Sequence, residues 1–222
     1  MRITNQMLNE SARKSGLPIN RSSLLDYINK DGSSNPLLEA LNKNKEIAAN
    51  SAKKDSYEKL DKEADLLTQA TEGLLQDGEN NLFEQAKATG DKQKVYDSIE
   101  NLLESYNSTL KALRSTSNTM NDFYRQMLIE APEDAKEELA KVGVSFAKDG
   151  TASVDMDKLK SADIESLENL FGSKSEVVSK VKFIATRISN NAEASVKSYS
   201  SGYSSKGNLY NGSVNSRFDF RG

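Results

Sequence analysis

The chain contains neither cysteine nor histidine among its 222 residues. Without cysteine it forms no disulfide and no thiolate metal site. Without histidine it lacks the commonest general base and the commonest metal ligand of proteins. These two absences argue against an enzyme, and we expect no catalytic residue, no cofactor and no metal.

Long apolar runs are also missing. Hydrophobic residues make up 36% of the chain and its mean hydropathy is -0.67, which is low for a thick core and suits helices with narrow apolar seams. No apolar run reaches the ~18 residues that span a bilayer, so we expect no membrane insertion. Residues 1–20 lack the apolar centre of a secretory signal peptide, so any export would use a route that does not read such a signal.

A large excess of positive or negative charge is missing as well. The formal net charge is only -3, so nucleic acid is not an obvious partner and we expect none. Aromatic residues follow residue 199, but few basic residues lie among them. Base stacking in single-strand binding proteins needs a denser basic groove.

The strongest pattern that is present predicts a long helix from Asp91 to about Leu128. Apolar residues recur at steps of mostly four and three, which places them on one helix face. They are Val95, Ile99, Leu102, Tyr106, Leu110, Leu113, Met120, Tyr124 and Met127. No glycine or proline interrupts the segment, and Asp91 offers an N-cap oxygen. A helix of this length needs a packing partner.

An earlier helix is predicted to start near Ser34 or Asn35, because Pro36 suits the first helical position. Its second half carries a heptad seam at Tyr57, Leu60, Ala64, Leu67, Thr71 and Leu74. We expect the two helices to fold back as an antiparallel hairpin over residues 35–130. The helix-seam residues predicted to form this interface are Tyr57, Leu60, Leu67, Leu74, Ile99, Leu102, Tyr106 and Leu113. Because such a hairpin is marginal alone, a further helix is expected from this chain or another.

Residues 131–174 predict a small module of a helix and a β-hairpin. Gly143 closes a short acidic helix. Residues 144–146 and 151–154 then alternate in polarity, and Asp149 and Gly150 form the turn between them. Gly150 suits a turn position that needs positive φ.

Three carboxylates near this turn allow an alternative, a calcium loop. They are Asp149, Asp155 and Asp157, but Gly150 directly follows the first of them, which does not fit the spacing of such a loop. A turn at Asp149 and a helix cap at Asp155 account for them better. Asp163 is predicted to cap the next helix, which ends near Gly172.

The last helix is predicted over residues 175–200. Its apolar stripe contains Val177, Val181, Ile184 and Ile188, and so lean a chain offers few partners for it. We therefore expect this stripe to be an assembly interface. The alternative left open is that the helix packs on the central hairpin.

The fold class that follows is mainly α: an elongated helical hairpin or coiled coil with one small β-hairpin and disordered termini. Residues 1–34 are expected to be mobile, and residues 201–222 form a polar tail expected to be disordered. The segments between them are the hairpin at 35–130, the module at 131–174 and the helix at 175–200.

Several stretches in order resemble one protein family. The run Leu102–Asn107, following Tyr96–Ile99, resembles the "Val-x-x-Tyr-Asn" helix in the C-terminal half of flagellar hook-associated protein 2, the filament cap, with Leu103 in place of the valine. Leu139–Gly150 is similar to that family's "Leu-x-x-Ile-Gly-Ile-x-Phe-x-x-Asp-Gly". Two later stretches also look like family motifs, and the resemblance covers about residues 95–200. These two later stretches are Ser153–Leu159 and Leu167–Gly172. The opening residues, Met1–Leu8, resemble the start of flagellar hook–filament junction proteins.

The resemblance implies a non-enzymatic, structural component of the bacterial flagellum. Such a protein is exported by the flagellar type III route and assembles through terminal coiled coils. Its partners would be flagellin, hook-associated proteins or further copies of itself in a homo-oligomer. No stretch before residue 140 predicts strand, whereas the cap family carries large β-rich domains, so we expect a reduced, cap-related protein. The alternative is a cytoplasmic export chaperone or assembly regulator that binds partner helices.

Overall fold

The computed structural model describes residues 36–78, 81–116 and 118–200, together with Glu10, Lys14 and Ser15. The chain divides into two compact units, residues 1–48 and 49–222. In the first unit the described residues include the start of a long helix, whose residues 44–48 are exposed. Apart from the three residues named above, the predictions of mobility for 1–34 and of disorder for 201–222 lie outside the described residues.

The described residues form helices and one antiparallel β-hairpin, which confirms the predicted mainly α class. In chain order the elements are α1 (Pro36–Leu74), α2 (Leu82–Thr89), α3 (Gln93–Ser115), α4 (Thr119–Glu130), a 3-10 turn (Glu133–Ala135), α5 (Lys136–Lys141), β1 (Val144–Phe146), β2 (Ala152–Val154), α6 (Met156–Ser161), α7 (Ile164–Phe171) and α8 (Glu176–Ser200). The strands pair Val144 with Val154 and Phe146 with Ala152.

The predicted single helix from Asp91 to Leu128 is wrong in one respect, because the structure divides it into α3 and α4. Asn118 caps α4, since its Oδ1 accepts the N–H of Asn121 at 2.8 Å. Asn121 is fully buried and its Nδ2 donates to the Thr116 carbonyl at 2.7 Å. These short polar side chains satisfy backbone groups that a continuous helix would use, so the chain bends there without glycine or proline.

The start of α3 also differs from the prediction. Its N-cap residue is Lys92, which makes no side-chain capping bond. Asp91 lies one residue further out, where its Oδ1 accepts the N–H of Gln93 at 2.9 Å. The aspartate therefore still satisfies a backbone donor at the helix start, as a carboxylate near a helix N-terminus should.

Helices α1 and α3 run antiparallel, as the seam spacing predicted. The Thr109 hydroxyl lies 3.0 Å from the Glu63 carbonyl, and Asn118 Nδ2 donates to the Tyr57 hydroxyl. Glu63 of α1 thus meets Thr109 of α3, and the earlier Tyr57 meets the later Asn118 just beyond the end of α3, so the two helices run in opposite directions.

Helix α8 lies against the same part of α1. The Ser189 hydroxyl lies 2.7 Å from an Asp61 oxygen, and Lys182 pairs with Glu72 at 3.1 Å. The Tyr57 and Tyr199 rings stack with centroids 5.8 Å apart. The second half of α1 is thus contacted by α3 and by α8, and both run antiparallel to it.

A charge in the α1 seam should unfold this bundle. Leu67 is fully buried, whereas its neighbour Leu66 is 41% exposed. We expect Leu67→Asp to lower the free energy of unfolding by about 3–5 kcal/mol, because it buries an unpaired carboxylate. Leu66→Asp, the matched control, should change it by less than about 1 kcal/mol. Urea unfolding measures both, and equal losses would contradict the seam.

Candidate functional site

The predicted seam residues of the first hairpin are all buried. They are Tyr57, Leu60, Leu67, Leu74, Ile99, Leu102, Tyr106 and Leu113. Together with residues of α8 they belong to one apolar core. The chain's own helices therefore cover these seams.

The stripe of α8 lies in the same core. Val181, Ile184 and Ile188 are buried, which differs from the expectation of an open assembly interface. The packing on the central hairpin that the sequence left open is what the structure contains. Val177 is half-buried and Val178 takes the core position, so the predicted stripe is one residue out of place at its start.

The β-hairpin is fixed to α3 by Tyr106 and Asn107. The Tyr106 ring meets the Phe146 ring edge to face, with centroids 5.8 Å apart and planes at 79°. Its hydroxyl donates to the Leu128 carbonyl at 2.9 Å. Burial raises the pKa of the Tyr106 hydroxyl, so the group stays a neutral donor at ordinary pH.

Asn107 forms hydrogen bonds with the edge of β2 that faces away from β1. Its Nδ2 donates to the Ala152 carbonyl at 2.8 Å, and its Oδ1 accepts the Ala152 N–H at 2.8 Å. One side-chain amide thus satisfies both backbone groups of a residue, as a neighbouring strand would. This arrangement joins helix α3 to the hairpin without a third strand.

The backbone conformation and the contacts of the turn suit the two residues that form it, Asp149 and Gly150. Gly150 has φ +85°, and a Cβ there would collide with Ile129. The Asp149 carboxylate accepts the N–H and the hydroxyl of Thr151, each at 3.0 Å, and lies 3.1 Å from the Arg114 guanidinium. The bonds from Thr151, and then Arg114, hold the pKa of Asp149 below its usual range.

Of the other two carboxylates of the calcium alternative, that of Asp155 serves as a helix cap. Asp155 caps α6 by accepting the N–H groups of Asp157 and Lys158, each at 3.2 Å. Asp163 caps α7 by accepting the Ser166 N–H at 2.7 Å, as predicted. Within 36–78, 81–116 and 118–200 no three potential metal-ligating side chains form a group.

Beneath the hairpin lies a small apolar cavity. Its lining includes Leu102, Tyr106, Phe146, Phe171 and Val178, and its volume is about 20 Å³. Cofactor and ligand pockets are typically at least ~300 Å³, so this cavity is a packing defect of the core.

One surface feature was missed from the sequence. Met120 is 49% exposed, Phe123 57% and Phe183 55%, and Met127 is half-buried between α4 and α8. We call these four side chains the α4–α8 ledge. In the sequence, Phe183 could have indicated this surface, because it falls outside the apolar stripe of its helix.

A groove of about 220 Å³ lies along this ledge. Met127 and Glu130 of α4 line it from one side, and Lys180 and Phe183 of α8 from the other. Its side chains offer an exposed apolar strip with charges at one end. Such a strip suits contact with another protein surface.

Comparisons with protein-family models, with curated proteins and with solved structures find no match to this chain. None of the helices in the described residues is long and apolar enough to cross a membrane.

A side chain at Gly150 should loosen the hairpin. Gly150→Ala introduces both an unfavourable positive φ and a collision with Ile129, whereas Gly78→Ala introduces only the positive φ, at +74°. We expect a loss of about 1–2 kcal/mol for Gly78→Ala and a larger loss for Gly150→Ala. Thermal melts and amide exchange of residues 144–154 report the difference. Equal losses, or no protection of that segment in the parent, would contradict the hairpin.

Acid should weaken the turn through Asp149. Because its folded pKa lies below its unfolded value, its stabilisation is present above the unfolded pKa of about 3.9 and is lost as pH falls through the folded pKa. Asp149→Asn lacks this dependence. The difference in Tm between parent and variant should therefore shrink as pH falls from about 6 to below about 3. A difference that stays constant over this range would show that the carboxylate charge is not involved.

Proposed function

We propose that the chain is a non-enzymatic structural or assembly component of the bacterial flagellum, related to the filament cap protein, hook-associated protein 2. It is exported by the flagellar type III route and acts outside the cell. Its partners are flagellin, hook-associated proteins or further copies of itself.

The observation that supports this most is the contact between two stretches that carry the family resemblance. Tyr106 and Asn107 end the first stretch, and Phe146 lies in the second. Tyr106 packs on Phe146, and Asn107 bonds Ala152 just beyond the second stretch, 45 residues away along the chain. Residues that were similar to the family only as separate motifs thus form one structural unit.

The titratable groups favour a structural role. Strongly shifted pKa values often mark catalytic groups. Here, hydrogen bonding and charge pairing with Lys180 lower the pKa of Asp134, and the cap contacts to Ser166 lower that of Asp163. Hydrogen bonds from Lys87 to Glu168 and Glu84 raise the pKa of that lysine. Each shift has a partner that stabilises the fold.

A cytoplasmic export chaperone or assembly regulator is the second candidate. The observation that favours it is the exposed α4–α8 ledge, because an apolar strip beside a groove suits the binding of a partner helix. In the structural function the same ledge would contact another axial subunit. Location in the cell separates the two functions.

Cell fractionation of a flagellated bacterium that carries the gene tests the proposal. A tagged chain should be found in sheared filaments or culture medium, and it should stay in the cytosol when the flagellar exporter is inactivated. A cytosolic enzyme serves as the lysis control. Retention in the cytosol with a working exporter would contradict the structural function and favour the chaperone.

A further inference from the structure

Two rows of side chains flank the groove between α4 and α8. Met127 and Glu130 of α4 and Phe183 and Lys180 of α8 line the groove, and helical spacing continues the rows by one turn to Phe123 on α4 and Arg187 on α8. The α4 row is thus Phe123, Met127 and Glu130, and the α8 row is Arg187, Phe183 and Lys180. Both rows have steps of four and then three residues, so each row lies along one helix face over about two turns.

The two rows run side by side, and their members lie opposite one another along the groove in the order in which they were named. Asn191 of α8 bonds Asn121 of α4 at 3.2 Å, and Met127, Glu130, Lys180 and Phe183 line one groove. The two helices are therefore antiparallel. The aromatic Phe123 thus corresponds to Arg187, Met127 to Phe183, and Glu130 to Lys180.

Each corresponding pair is chemically complementary. A guanidinium over an aromatic ring is a cation–π contact, and Arg187 already makes one with Phe183 at 5.1 Å. A thioether beside an aromatic ring is also favourable. Glu130 and Lys180 have opposite charges, and their present partners are Gln126 at 2.7 Å and Asp134 at 2.7 Å.

We propose that the α4 row and the α8 row together form a two-fold self-association surface. A two-fold axis lying along the groove places the α4 row of one copy on the α8 row of its partner, and the converse. All three complementary pairs then form twice. The proposal rests on the self-association that is part of the proposed function. It does not depend on whether the protein is located in the flagellum.

A second copy fits this surface better than an unrelated helix. An unrelated helix would need to match only one row, whereas here both members of every pair are present on the same face at matched spacing. Each row is only ~10 Å long, so the contact is small and the dimer should be weak, with dissociation in the micromolar range.

Charge reversal gives a sharp test on the full chain. Glu130→Lys places lysine against Lys180 twice in a two-fold dimer, and Lys180→Glu places two carboxylates against each other. Each variant should be monomeric by analytical ultracentrifugation at concentrations where the parent dimerises. A one-to-one mixture should form a heterodimer, because both opposite-charge pairs are then restored. Circular dichroism melts check that both variants fold.

Apolar variants give the second arm of the test. Phe123→Ser and Phe183→Ser should each weaken dimerisation at least about tenfold, as the loss of an aromatic anchor does. Leu66→Ser, an exposed leucine on α1, is the matched control and should leave the dissociation constant unchanged. A parent that is monomeric at all concentrations would overturn the proposal. Ledge variants that behave like the control, or a mixture that stays monomeric, would overturn it as well.

Discussion

The burial of one face of α1 between α3 and α8 is the contact on which the rest of the molecule depends. Leu60, Leu67 and Leu74 are within 1% of complete burial. Complete burial of one leucine contributes about 1.5–3 kcal/mol. With 36% hydrophobic residues, the chain has little apolar surface to spare for a second core. The apolar face of the final helix, with Val181, Ile184 and Ile188, is accordingly buried inside the bundle.

The apolar core extends to Val144 and Ala152 of the hairpin, and polar side chains add directional contacts where the segments meet. Asn107 joins the hairpin to α3, Arg114 contacts the turn at Asp149, and Asn121 links the α3–α4 bend to Asn191 of α8. Most of these bonds run from a side chain to a backbone group, so each one fixes both position and direction. Removal of one partner would leave a backbone group of the other segment unsatisfied. The junction of bundle and hairpin is accordingly specified by a few residues.

The sequence predicted the features that local chemistry decides. The heptad spacing from Tyr57 to Leu74 identified the buried face of α1, and Asp149-Gly150 identified the turn, because positive φ at that point favours glycine. The cap at Asp163 followed from its short acceptor side chain before an apolar run.

Features decided by tertiary contacts were not predictable in the same way. The bend after Thr116 depends on the burial of Asn121 among neighbouring helices. The apolar spacing of the sequence continues across the bend, so it does not indicate where the helix ends. The exchange of Val177 for Val178 in the core likewise depends on how α8 packs on its neighbours, since both residues are apolar. Exposure of Phe183 follows from the same geometry. The candidate surface thus appeared only once the helices were placed in space.

Native-state hydrogen exchange tests most directly whether α1, α3 and α8 form one core within a single chain. The amides of Leu67, Ile99 and Ile188 each lie in one of these helices and belong to fully buried residues. One cooperative core predicts the same opening free energy for all three amides, unchanged when the protein is diluted. Faster exchange at Ile188, or protection there that falls on dilution, would contradict this fold and would show that α8 is held by another molecule.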